Sequence, residues 1–389
     1  MNFVDLLVVV AVIAAVLSGV RAGLVGMVAG AIGTIGGLLI GGAIAPEVSD
    51  ALEVYGSGRV LLMSTVIVVS VAVVSYEAQL GALPVAASLR AVQLGWVDRV
   101  AGGAIAFVLA VVLAWLVGGV LAIGPSQDVA RAVQDSAVLR AIDNRLPAAP
   151  GVVADIQQAL IDHGMPMPFS GFEPRLSPVD PPSSETVAGA QAAAAASTVR
   201  VASIGCGGGS TGSGVVVADG LVFTNAHVVA GGEHVEIDAV DGSHDATVVW
   251  FDPDTDLAVL RVPGLDVPVL PIAAQDVGEG AGAAVLGYPN GGPLVVTAAA
   301  VLDQRTAVGR DIWGSGGANR EVYVVQAVVR PGDSGGPFVA ADGTVLGLVF
   351  ARSNVHSDVG YALTSSELRP VLDATAGATA EVGTGRCVD

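Results

Sequence analysis

Apolar positions run almost unbroken through the first third of the chain and come in short, punctuated stretches through its last half. Two kinds of structure are therefore predicted. Within residues 1–123 lie four apolar runs: Phe3 to Val20, interrupted by Asp5 and Ser18; the uncharged Ala22 to Ala45; the β-branched Val60 to Ser75; and Gly102 to Ile123, with Trp115 and no ionisable group. A bilayer core about 30 Å thick needs roughly 17–25 apolar residues per helix, so an all-α membrane domain of four transmembrane helices is expected. A cleaved signal peptide is the other reading of the first run. Against it, no basic segment precedes the run and a second long run follows at once.

In the second run Gly26/Gly30, Gly33/Gly37 and Gly37/Gly41 stand four residues apart, a spacing that lets helix backbones approach in lipid. Arg21 follows the first run and Arg90 and Arg99 follow the third, whereas Glu47, Asp50, Glu53 and Arg59 follow the second. Positive-inside logic then places both termini outside the cytoplasm, although Arg131, Arg140 and Arg145 after the fourth run pull the other way.

Residues 124–163 carry apolar side chains at helical spacing (Val129, Val133, Leu139, Ile142, then Val152, Ile156, Leu160), broken around Pro147 to Pro150, and predict an amphipathic helical segment. Residues 164–197 are Pro-rich and then Ala-rich, the composition of an exposed linker open to proteolysis. From 198 to 389, short valine-rich stretches such as Gly214 to Ala218, Leu257 to Val262 and Val345 to Phe350 alternate with Gly and Asp turns. They predict an all-β barrel or sandwich, followed by a short C-terminal helix near Ser365 to Asp373.

Composition sharpens this division. Charged residues make up 14% of the chain, against about 25% in soluble domains, and mean hydropathy is +0.69. The net charge of -19 comes from 36 acids against 17 basic residues, all of them Arg. That balance excludes a nucleic-acid module, and the apolar content excludes intrinsic disorder. The acid is concentrated in the second half: 14 acids and 8 Arg precede residue 198, and 22 acids and 9 Arg follow.

Three patches in the β-rich part carry chemistry. They are Thr224-Asn225-Ala226-His227-Val228-Val229, the stretch from Asp252 to Leu260 with acids at Asp252, Asp254 and Asp256, and Pro331-Gly332-Asp333-Ser334-Gly335-Gly336-Pro337. A serine hydroxyl is a weak nucleophile until a base takes its proton, and histidine suits that task near neutral pH. A carboxylate must in turn hold the imidazole in one tautomer. Glycines around Ser334 permit a tight turn that points the amides of Gly332 and Ser334 at one spot, an oxyanion hole.

Residues 198 to about 376 thereby resemble the trypsin-like serine proteases, above all the HtrA branch, in which TNAHVV, D-x-D-LAVL and GDSGGP recur in this order. The resemblance implies a chymotrypsin-like double β-barrel with His227 as base, Asp256 as orienting carboxylate and Ser334 as nucleophile. It places the S1 floor at Val328, hence a preference for apolar P1 residues, and gives Leu348, Val349, Phe350 and Ala351 to the substrate backbone. Too few residues follow the predicted C-terminal helix to form the PDZ domain usual in that branch, so regulation is expected from the membrane half, the linker or the cysteines. Asp5, the Ser18 to Gly23 stretch and the Gly-rich second run resemble the CvpA (colicin V production) membrane family over about residues 1–160. The combination resembles the membrane-bound acid-resistance serine proteases of actinobacteria. It implies cleavage of envelope proteins in acid or oxidative stress and self-cleavage in the linker.

Cys206 and Cys387 are the two cysteines. Both flank the predicted core, so a disulfide between them, closing a loop of roughly 180 residues and requiring an oxidising compartment, is expected over two separate buried thiols. No metal or cofactor is expected, and His163, His234, His244 and His356 are expected to be exposed. The expected partners are envelope peptides and the bilayer. The alternative to a protease anchored by its spans is a transporter or pore with an accessory protease, but Asp5 is the lone ionisable group within the predicted spans.

Overall fold

Runs without charge fold as helices when no water is available to satisfy the backbone, and the N-terminal runs do so here. The computed structural model describes residues 2–51, 57–91, 95–122, 127–145, 173, 176–314, 318–353 and 356–388. It divides into one unit of residues 1–118 and 135–146 and a second of residues 119–134 and 147–389. Val152, Ile156, Leu160 and His163 lie outside the described residues.

Three helices form the bulk of the first unit: α1 (Phe3–Ala51), α2 (Ser57–Ala91) and α3 (Gly95–Leu121). Among the described residues, three stretches are long and apolar enough to cross a membrane: Phe3–Ala45, Val68–Val85 and Gly95–Gly119. The first two expected runs are thus joined in α1, which is interrupted at Gly23 (φ 72, ψ 172). A side chain there would meet Asp98 of α3, whose Oδ1 accepts from Val25 N at 3.1 Å. One carboxylate therefore caps the helix where it restarts. Asp98 and Arg99 fall inside α3, ahead of the expected start at Gly102. Along α1, a Cβ at Gly33 or Gly37 would lie 2.4 Å from Ser75 Cα or Val71 Cα of α2, so the glycine spacing serves direct backbone contact between helices.

Two short helices follow, α4 (Gln127–Gln134) and α5 (Ala137–Asp143). Asp5 is fully buried and accepts from Ser136 Oγ at 2.6 Å and Val138 N at 3.0 Å, at the start of α5.

In the second unit, the described part of the expected linker, residues 173 and 176–197, is packed rather than exposed along its length. Ser183 caps helix α6 (Ser184–Ala194), and Ala190 and Ala194 are buried in the main apolar cluster. Alanine is the strongest helix former, so the Ala-rich run folds once a surface is present to cover it. Upstream, Leu176 and Val179 pack against that cluster, and Glu173 accepts from Ser353 Oγ at 2.5 Å and Tyr361 OH at 3.0 Å.

The β-rich part closes into two six-stranded barrels. The first comprises β1 (Thr198–Gly205), β2 (Gly208–Ala218), β3 (Leu221–Thr224), β4 (Gly232–Ala239), β5 (Gly242–Asp252) and β6 (Leu257–Arg261), in the order β1-β2-β3-β6-β5-β4. The second comprises β7 (Gly282–Gly287), β8 (Val295–Gly309), β9 (Ala318–Gln326), β10 (Pro337–Val339), β11 (Val345–Arg352) and β12 (Val359–Thr364), in the order β10-β11-β12-β9-β8-β7. The one-turn helix α7 (Ala226–Val229) follows β3, and α8 (Ser365–Thr375) follows β12.

Strand periodicity sends Val322 and Val324 of β9 into one cluster and Tyr323 and Val325 into another. Both faces are buried, hence the nearly continuous apolar run. The main cluster takes Phe223, Leu257 and Val259 from the first barrel and Leu286, Val324 and Leu348 from the second. It welds the barrels along the seam where the three motif patches meet.

Cys206 sits with Gly207 in the two-residue turn between β1 and β2, both at positive φ, and is disulfide-bonded to Cys387 with Cα atoms 5.9 Å apart. The tail leading to Cys387 lies along the first barrel, with Val382 N donating to Val248 O and Gly231 N to Thr384 O.

Candidate active site

β3 ends at Thr224, and Asn225 turns the chain into α7, which carries His227. Asn225 Nδ2 donates to Asp256 O at 2.8 Å, tying that turn to the next loop. Asp256 is completely buried and adopts φ 62, a left-handed conformation that Asp tolerates better than most residues. Its Oδ1 accepts from His227 N at 2.9 Å, and its Oδ2 lies 2.7 Å from His227 Nδ1. An ionised carboxylate only accepts, so beside one Nδ1 is the donor.

The neighbouring acids are placed differently. Asp252 accepts from Asp254 N and Thr255 Oγ1 within its own turn, and Asp254 is exposed. Beneath the loop lies Arg320 of β9, 1% exposed, which donates through Nε to Asp254 O at 2.6 Å and through Nη2 to Arg310 O at 2.7 Å. Burial pulls its pKa below the ordinary guanidinium value, opposed by the charges of Asp256, Asp254, Asp252 and Asp311. No motif points to this residue. Flanked by Asn319 and Glu321 at the polar start of the strand, it carries no sequence signal that sets it apart.

Ser334 occupies the turn between β9 and β10, with Gly332 at φ 96 and Gly335 at φ 81. A Cβ on Gly335 would come within 2.1 Å of Ser213 O and 2.5 Å of Thr224 Oγ1. Only glycine lets this turn lie against the end of β3, three residues before His227. Ser334 and His227 share no hydrogen bond among the described residues. Next to Ser334, the buried Asp333 accepts from Arg330 N at 2.8 Å, and burial raises its carboxyl above the ordinary range.

Leu348, Val349, Phe350 and Ala351 are fully buried in β11. Leu348 is already paired with Pro337 and Leu363, and Val349 uses its N and O on Gly336 O and Gly335 N. Phe350 lies at the irregularity between Val349 and Ala351, where the pairing of β11 with β12 shifts register. Val328 is 40% exposed and lines a cavity of about 290 Å³ with Pro181, Pro182, Gln326 and Asp358. Of the other histidines, His234 is exposed, whereas His244 and His356 are half-buried. His244 lies 3.0 Å from Asp241, which draws it against the surface. Among the described residues no group of His, Cys, Asp and Glu side chains has the arrangement of a metal site.

Residues 212–348 match the trypsin-like peptidase domain, and residues 4–147 match the colicin V production protein family. Serine protease Rv3671c of Mycobacterium tuberculosis (strain H37Rv) is 37% identical over 301 residues, which are 75% of each chain. The chain belongs to this family of serine proteases. The crystal structure of the Rv3671c protease in its active form matches with a TM-score of 0.54 and 40% identity, covering 56% of this chain and 97% of that one. A DegP-like periplasmic serine endoprotease of Halomonas elongata is 32% identical over 174 residues, 42% of this chain and 35% of its own length. As a member of the Rv3671c family, the chain is a serine protease joined to a membrane region of the colicin V production type.

Proposed function

We propose that the protein is a membrane-anchored endopeptidase acting on envelope proteins from the extracytoplasmic side, through Ser334, His227 and Asp256. The observation that carries this reading is the two-point contact of Asp256 with His227 beside the turn that presents Ser334. His227 Nε2 takes the Ser334 proton as Oγ attacks the peptide carbonyl, and the Gly332 and Ser334 amides receive the developing oxyanion. The imidazolium then protonates the leaving amine. Water, deprotonated by the same nitrogen, releases the acyl group.

The same reading has α1 turn at Gly23 and cross the bilayer twice. Its apolar stretch of 43 residues is about twice what one crossing needs. Four crossings then leave both termini outside, in agreement with a disulfide on the protease. Asp5 is engaged by Ser136 and Val138, which favours anchoring over transport. The apolar Val328 supports preference for an apolar P1 residue, and the resemblance to acid-resistance proteases supports a role in acid or oxidative stress. Self-cleavage falls before Ser183, because α6 is packed.

Comparison of the envelope proteome in cells carrying wild-type protein and Ser334→Ala tests the reading. Substrates and the linker stay intact in the variant if it holds, and unchanged cleavage overturns it. Peptide profiling with P1 Arg preferred would reject the Val328 assignment.

A further inference from the structure

The turn preceding Ser334 works only if two amides stay aimed at one point. Neither Gly332 N nor Ser334 N has an acceptor among the described residues. In a trans peptide the C=O and N–H point in opposite directions, so whatever grips a carbonyl aims the amide that follows. Pro331 O accepts from Asn290 N at 2.7 Å, which turns Gly332 N–H away from that side, and Asp333 O accepts from Gly336 N at 2.9 Å, which does the same for Ser334 N–H. The peptide between them, Gly332–Asp333, is the one a glycine at φ 96 leaves freest to rotate. Its N–H donates to Arg330 O at 3.0 Å, and its carbonyl accepts from a side chain, Ser213 Oγ, at 2.7 Å.

Ser213 grips the turn twice. Its main-chain N donates to Ser334 O at 2.7 Å, while its hydroxyl, having donated to Gly332 O, accepts from Tyr288 N at 2.9 Å. The accepted bond orients the hydroxyl, leaving its proton for the Gly332 carbonyl. Ser213 is fully buried in β2. Tyr288, which supplies the orienting N–H, is anchored to the first barrel by its OH on Thr198 O at 3.1 Å. The grip thus spans the seam between the barrels.

We propose that Ser213 is a positioning residue for the oxyanion-binding turn: its hydroxyl holds the Gly332 carbonyl and prevents the Gly332–Asp333 peptide from flipping. The inference rests on the assignment of the Gly332 and Ser334 amides as the oxyanion hole. It is tested in the full-length protein in detergent with Ser213→Ala and Ser213→Cys, the second keeping the volume while offering only a weak donor. We expect kcat to fall about 10- to 100-fold in both, with KM within about 2-fold. A peptide boronic acid, whose adduct places an oxygen in the hole, should lose affinity by the same factor as kcat/KM. A kcat within about 3-fold of wild type in the Cys variant, or a rise in KM alone, overturns the proposal even if the Ala variant does not fold. Ser334→Ala separates the two readings. If it retains turnover, the catalytic assignment falls; if it is inactive while the Ser213 variants run at full rate, only the positioning role falls.

Discussion

Asp256 meets His227 at two points, its Oδ1 on the main-chain N–H at 2.9 Å and its Oδ2 on Nδ1 at 2.7 Å. The double contact fixes both the position of the ring and its tautomer. Asp256→Asn keeps the side-chain shape and tolerates φ 62, so the fold should be retained, but an amide nitrogen facing Nδ1 favours the wrong tautomer. A loss of about 10⁴-fold in kcat is expected, measured with a fluorogenic peptide beside a thermal melt. Unchanged turnover would remove Asp256 from the catalytic machinery.

Arg320 holds the same loop from below through the carbonyls of Asp254 and Arg310. Arg320→Ala leaves those acceptors unsatisfied and empties a buried site, so unfolding free energy should fall by about 2–5 kcal/mol in a urea titration. Arg320→Lys should recover little, because one ammonium lacks the guanidinium fork. Full recovery by lysine would show that charge alone matters here.

The disulfide ties together residues 181 positions apart. On the loop-entropy account, Cys206→Ser should lower stability by about 4–5 kcal/mol, and so should reduction of the wild type. Urea titrations with and without reductant measure both, and equal midpoints would refute the contribution.

Glu367 supplies a pH test. Burial raises its pKa above the ordinary value, only partly offset by the Glu321 N–H it accepts at 2.8 Å. The folded state therefore binds this proton more tightly than the unfolded state. Stability is undiminished below the ordinary carboxyl value of about 4.3, falls as pH rises through the raised folded value, and stays lower beyond it. Glu367→Gln carries no such proton and should be more stable than wild type at neutral pH, with the difference shrinking on acidification. A difference independent of pH would disprove the shift.

Much of the molecule was readable along the chain. Length and exclusion of charge mark the membrane helices, and the patches around His227 and Ser334 are contiguous, so their chemistry is visible before any folding. Reading failed where a local pattern had to compete with a surface it could not anticipate. The Ala-rich run after Ser183 looked like a linker in isolation and became α6 once the second barrel offered a face for Ala190 and Ala194. The first two membrane runs were separated at Arg21, whereas the backbone breaks at Gly23, where Asp98 of α3 caps the restart.

By itself the sequence determined that an apolar helical region precedes an acidic β-rich domain bearing the serine, histidine and aspartate patches, because hydrophobic runs and short motifs are local properties. Tertiary structure decided that Arg320 supports the loop ahead of β6 and that Ser213 grips the nucleophile turn. Each of these depends on the closing of two barrels that bring residues tens to hundreds of positions apart within hydrogen-bonding distance. No linear pattern encodes such a distance.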